Sequence, residues 1–171
     1  MKNDFIKPIV VLSLICLIIS GALAFTDSVT SPVIIEAAAK REEDAREEII
    51  PDATGFEPIE VDGLPETVSG VYKSKNDVGY VFVLVTKGYG GDMTLLCGIK
   101  PDGTVIRCTT LEQSETKGMG SRVTERQFED QFIGADANLQ GVDTISGATI
   151  SSKAYIAAIK DALAAFNLID N

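Results

Sequence analysis

The sequence predicts an α+β fold: an N-terminal transmembrane helix, then one domain with a mainly antiparallel sheet and a C-terminal helix. Three observations predict it. An uncharged apolar run, Pro8 to Phe25, stands near the N-terminus. Short β-branched and aromatic runs, punctuated by Gly, Pro and Asp, fill the middle of the chain. A run with apolar residues at helical spacing closes it: Tyr155, Ile159, Ala162, Leu163 and Phe166. At 171 residues, one globular domain plus appendages is the natural size.

Residues 1–7 carry Lys2 and Lys7 and read as a cytoplasmic N-terminus. Residues 8–25 then have the length of a short membrane-spanning helix. A cleaved signal peptide is the rival reading, since Ala22-Leu23-Ala24 fits an A-x-A site. Either way, lysines ahead of the apolar run send the rest of the chain outward, and with the run retained this predicts a single-pass protein of the cell (inner) membrane. Cys16 lies inside the run, behind an Ile15 too bulky for lipoprotein cleavage. Residues 26–50 are expected as a helical stalk. Its start is marked by Ser31 as cap and Pro32 in the first turn, and its stop by Pro51. Ile34, Ala38, Ala45 and Ile49 share one side, and Glu36–Lys40 and Glu42–Arg46 are i,i+4 pairs. The expectation is a solvated spacer.

Residues 51–171 form the expected extracytoplasmic domain. Residues 51–70 read as irregular, Val71-Tyr72 as a weak strand and Tyr80 to Val85 as a buried one. Met93–Ile99 and Thr104–Leu111 flank the turn Pro101-Asp102-Gly103 as a hairpin. A two-residue Asp-Gly loop places Cys97 opposite Cys108; a three-residue loop with a glycine bulge places it opposite Arg107. A disulfide and two small buried thiols both remain open. Thr124–Phe132 reads as a short helix with Phe128 and Phe132 on one side, and 134–141 as loop. A strand-like run then leads to the last helix, expected to open near Ser151 or Ser152.

Composition excludes several functions. The chain has 25 Asp and Glu against 15 Lys and Arg, which argues against nucleic acid. It has no histidine, so imidazole acid–base chemistry, Ser-His-Asp hydrolysis and imidazole metal sites are out. Three cysteines without a CxxC support neither a zinc knuckle nor an iron–sulfur cluster. Demanding chemistry must then come from a cofactor.

Three clusters carry what chemistry there is. Asp143-x-x-Ser146-Gly147-Ala148-Thr149 is followed by Ser151, Ser152 and Lys153. It offers hydroxyls, a cation and small residues at a helix start, where free N–H groups and the helix dipole suit a phosphate. Glu115-Thr116-Lys117-Gly118-Met119-Gly120 offers a glycine loop whose backbone can lie against a flat ligand, with Met119 to pack on a ring and Lys117 to steady negative charge. Lys87-Gly88-Tyr89-Gly90-Gly91-Asp92 lacks the ending of a P-loop, though Tyr89 can stack beside a ligand. Each cluster also has an ordinary reading: a capped helix start, a solvent loop and a hairpin connection.

Taken together, Gly-Tyr-Gly-Gly-x-Met at 88–93, Glu-Thr-Lys-Gly-Met-Gly at 115–120 and Ser-Gly-Ala-Thr-x-Ser-Ser at 146–152 resemble the FMN-binding domain family. Within it, the chain is similar to G subunits of Rnf-type ferredoxin:NAD oxidoreductase complexes. It is less similar to C subunits of sodium-pumping NADH:quinone reductases. The resemblance implies FMN held as a phosphoester on Thr149, installed by a flavin transferase that reads Asp143, Ser146, Gly147 and Ala148. It implies that Glu115, Thr116, Gly118 and Met119 line the isoalloxazine. It further implies an electron relay beside other membrane subunits of a redox-driven ion pump. Lys117 stands where the family usually has proline. A free-standing flavin carrier and a non-catalytic tethered binding module are the alternatives.

Overall fold

A computed structural model describes residues 2–169 of the chain, with side chains from residue 6 onward. The ends of the expected cytoplasmic segment and domain, Met1, Asp170 and Asn171, lie outside the described residues. Two compact units form, Met1–Arg41 and Glu42–Asn171.

The first helix, α1, runs from Lys2 to Ile49 without the expected break at Ser31. Pro32, like Pro8, lies inside it. Proline is tolerated there at the loss of one backbone bond. Nearby hydroxyls fold back onto the helix's own carbonyls: Thr26 Oγ1 donates to Ala22 O at 2.9 Å, Ser28 Oγ to Phe25 O at 2.8 Å and Thr30 Oγ1 to Thr26 O at 2.9 Å. Polar side chains satisfied in this way do not interrupt a helix. Among the described residues, α1 alone is long and apolar enough to cross a membrane, and its most apolar stretch has mean hydropathy 2.7.

The second unit is built on a five-stranded antiparallel meander, in the order β1 (Phe56–Pro58), β2 (Val68–Ser74), β3 (Tyr80–Lys87), β4 (Asp92–Ile99) and β5 (Val105–Gln113). The short edge strand β1 falls in the segment expected to be irregular. Alternation along β3 splits its side chains between two cores. Phe82 and Leu84 join Leu95, Cys97 and Tyr155 on one face; Val81 and Val83 join Leu96, Ile49 and Ile50 on the other. Both faces are therefore covered, which is why Tyr80–Val85 reads as a continuous apolar run.

The C-terminal helix, Thr149–Ile169 (α3), fills the first face with Tyr155, Ile159, Ala162, Leu163 and Phe166. The last turns of α1 fill the second. Ile49 and Ile50 are buried there, the Arg46 guanidinium lies 4.0 Å above the Tyr72 ring, and Arg46 pairs with Glu42 as expected. This end of the helix is core rather than solvated spacer.

The β4–β5 hairpin combines the two expected geometries. Pro101-Asp102-Gly103 is a three-residue loop closed by the Lys100 N–H on Thr104 O at 2.8 Å, with Gly103 at φ 83°. An extra residue on β5, Ile106, then resets the register, so Cys97 faces Cys108 after all. Both are free thiols, buried, with sulfurs 3.6 Å apart. Burial, and then the Cys97 thiol beside it, push the Cys108 thiol well above its ordinary pKa.

Thr124–Phe132 is not one helix. It is a 3₁₀ turn at Gly120–Thr124, one turn of α-helix α2 at Arg126–Glu129 and a second 3₁₀ turn at Asp130–Phe132. Phe128 and Phe132 are buried as expected and pack on Tyr155, with ring centroids 5.3 and 5.2 Å away. The strand expected before Thr149 is absent among the described residues. Val142, Ile145 and Ala148 recur every third position, which suits turns anchored on the core rather than a strand.

Candidate functional site

The Ser-Gly-Ala-Thr segment is a turn that launches a helix. Gly147, at φ 84°, occupies the left-handed corner, and the Ala148 N–H closes the turn on Ile145 O at 3.0 Å. Ser152 locks it twice. Its N–H donates to Ala148 O at 2.9 Å, and its hydroxyl oxygen accepts the Ile145 N–H at 3.1 Å. Helix α3 thus opens at Thr149, two or three residues earlier than expected. The N–H groups of Thr149, Ile150 and Ser151 precede the first helical donor, the Ser152 N–H, and carry no intrahelical bond. Thr149 is exposed.

The β3–β4 connection brings Tyr89 to this helix start. The Gly88 N–H donates to Gly91 O at 2.9 Å, and the Tyr89 N–H reaches the Ser151 hydroxyl oxygen at 3.4 Å. Tyr89 is 74% exposed. The loop after β5 supplies the third wall. Thr116 O accepts the N–H groups of Met119 at 3.1 Å and Ser121 at 3.2 Å, and Gly118, at φ 80°, donates to the Ser121 hydroxyl at 2.9 Å. Met119 is held outward, 57% exposed.

These three segments enclose an open cleft of about 430 Å³, within the range of small-molecule sites. Gly147, Ala148, Thr149 and Ser151 form one side; Tyr89, Glu115, Thr116 and Met119 form the others. Of the remaining sequence-predicted residues, Gly118, Ser146 and Ser152 do not line it. Gly118 shapes the Met119 loop, Ser146 is exposed in the turn, and Ser152 is buried beneath it. The Ser151 and Ser152 hydroxyls are not presented side by side with that of Thr149; each takes a backbone N–H. Lys117 and Lys153 are exposed and off the cleft wall.

One lining residue was not singled out from sequence, Ile150, and Gly120 was named only as part of its glycine loop. Ile150 had a signal: an isoleucine among hydroxyls at a helix start, off the Tyr155–Phe166 face, and 57% exposed. Gly120 is buried, and its reason is a contact invisible in sequence. A Cβ there would lie 2.0 Å from Glu115 Oε2.

The cleft combines an apolar rim of Tyr89, Met119 and Ile150, three free backbone donors and one exposed hydroxyl. That set can seat a flat aromatic group with an anionic tail. It holds no histidine that could serve as a base for Thr149.

Comparison with known proteins finds the same segments. Residues 88–164 match the model of the FMN-binding domain family. The chain is 35% identical to the G subunit of the ion-translocating oxidoreductase complex of Methanosarcina acetivorans, over 95% of this chain and 94% of that one. It is 30% identical to the G subunit of the proton-translocating ferredoxin:NAD(+) oxidoreductase complex of Clostridium ljungdahlii, over 89% and 86%. The C subunit of the Na(+)-translocating NADH-quinone reductase of Pasteurella multocida is 34% identical, over only 48% of this chain and 40% of its own length.

Proposed function

The chain belongs to the family of ion-translocating oxidoreductase complex G subunits with an FMN-binding domain, and from that premise we propose that it relays electrons through FMN attached covalently to Thr149. The observation that carries this is Thr149 itself: an exposed hydroxyl on the first residue of α3, in the wall of the cleft, beside three N–H groups without intrahelical bonds. The residues fit the cofactor. The N–H groups of Thr149, Ile150 and Ser151 would receive the phosphate, aided by the helix dipole. Tyr89, Met119 and Ile150 would cover the ring system. When bound, FMN supplies one- and two-electron chemistry, so it can join one-electron carriers to hydride carriers. The chain's residues bind, orient and shield; none acts as a catalytic acid or base.

With no histidine to activate Thr149, attachment requires a separate flavin transferase. The partners are the other membrane subunits of the complex. The alternative, a C subunit of a sodium-pumping quinone reductase, is weaker, because that likeness spans under half of each chain. The apolar stretch of α1 fits a single-pass membrane protein. Lysines ahead of it put the N-terminus in the cytoplasm and the domain outside.

Mass spectrometry of chain purified from its native membrane tests the attachment. The peptide spanning 143–153 is expected to carry one FMN, and Thr149→Ala to yield folded, colourless protein. A bare Thr149 from a host with an active transferase, or fluorescence that survives denaturation of Thr149→Ala, overturns the assignment.

A further inference from the structure

We propose that Glu115 is a positioning residue, the pin that holds the Tyr89 loop and the Met119 loop together as walls of the cleft. The flavin reading above says only what the walls are for; the pin belongs to the bare chain.

Glu115 lies between exposed neighbours, Ser114 and Thr116, yet is itself only 9% exposed. Its Oε1 accepts the Gly90 N–H at 3.2 Å, across to the other loop. A Cβ on Gly88 would lie 1.9 Å from Oε1, and one on Gly120 would lie 2.0 Å from Oε2. A Cβ on Gly90 would meet Ser114 O at 2.5 Å and Glu115 Cα at 2.9 Å. Three glycines from two loops therefore form a socket that admits one carboxylate and no second side chain. The base of the pin is fixed too: the Glu115 N–H donates to Gln113 Oε1 at 2.5 Å.

A carboxylate suits the socket. It is flat, accepts only, and can turn one oxygen to each loop. Glycine-rich loops carry the largest backbone entropy and hold one shape only when something fills the space between them. The other tie on Tyr89, its N–H to Ser151, is long at 3.4 Å. Glu115 thus sets the separation of Tyr89 and Met119 before any ligand arrives.

Hydrogen exchange with mass spectrometry on the full chain tests this in a Thr149→Ala background, so the result is independent of flavin attachment. Adding Glu115→Ala is expected to speed exchange in 88–91 and 115–120 by about tenfold, the scale of one lost charge-assisted hydrogen bond. Exchange in β3 and β4 stays at the parental rate. Glu115→Gln, which keeps shape and acceptor, is expected within about threefold of the parent in both loops. Parental exchange at 88–91 in Glu115→Ala, or a Gln variant as loose as Ala, overturns the pin. Should Glu115→Ala also expose the core strands, Glu115→Asp decides. Its carboxylate falls a methylene short of Gly90, so a tight 88–91 loop there overturns the pin and a loose one with protected strands supports it.

Discussion

Gly98 stands on β4 where an added Cβ would lie 2.2 Å from Ile49 Cγ2. Glycine is used there for room, as in the Glu115 socket. Gly98→Ala is therefore expected to cost about 1–3 kcal/mol by overpacking. Combining it with Ile49→Ala should recover part of that loss, read as non-additivity in denaturant midpoints. Glu129 offers a pH test. Its Oε1 accepts the Thr110 N–H at 2.8 Å and hydroxyl at 3.0 Å. Burial raises its carboxyl above the ordinary value, only partly offset by those bonds. The folded state holds the proton more tightly than the unfolded chain. The stability it contributes is complete below the ordinary carboxyl range and is lost as pH rises through the raised value. Glu129→Gln should flatten that decline in urea midpoints measured across acidic to neutral pH. Thr149, Tyr89 and Met119 were legible in sequence, because exposed chemistry sits in local motifs. The Glu115 role was not, because its socket joins the loop at 88–90 to the loop at 115–120, and no local pattern records that contact.

Helix starts and stops were the least legible elements. Ser31-Pro32 carries every mark of a start, yet α1 passes through it. A cap signal says that a helix can begin there, not that the preceding residues are unwound. Pro32→Ala should stabilise the helix locally by up to about 3 kcal/mol, seen as slower amide exchange around Val33–Glu36. The start of α3 erred in the other direction. Ser151 and Ser152 look like caps, but the turn at Gly147 had already set the helix axis at Thr149, leaving the Ser151 hydroxyl to take the Tyr89 N–H and the Ser152 hydroxyl to take the Ile145 N–H of the turn itself. The β4–β5 pairing was legible to within one residue. Its loop chemistry was right; the bulge at Ile106 follows from Ile106 packing on the second face, which the loop sequence does not encode.

For the whole molecule, the α+β class, the central apolar strand and the core face of α3 followed from periodicity alone. The missing piece was the second core. A boundary at residue 51 leaves out Ile49 and Ile50, whereas the compact unit begins at Glu42. A chain starting at Glu42 is expected to unfold cooperatively. One starting at Pro51 should lose more than about 4 kcal/mol, since two buried isoleucines go and Val81, Val83 and Leu96 are bared. Calorimetry of the two chains checks this. The double duty of α3 has a consequence for maturation. The helix whose first residue bears the exposed hydroxyl is also the one that roofs the sheet with Tyr155, Leu163 and Phe166. No polypeptide lacking that roof can display the launching turn in its native shape. Any chemical mark that depends on the shape of that turn is therefore written only on molecules already folded, and counting the marks counts intact domains.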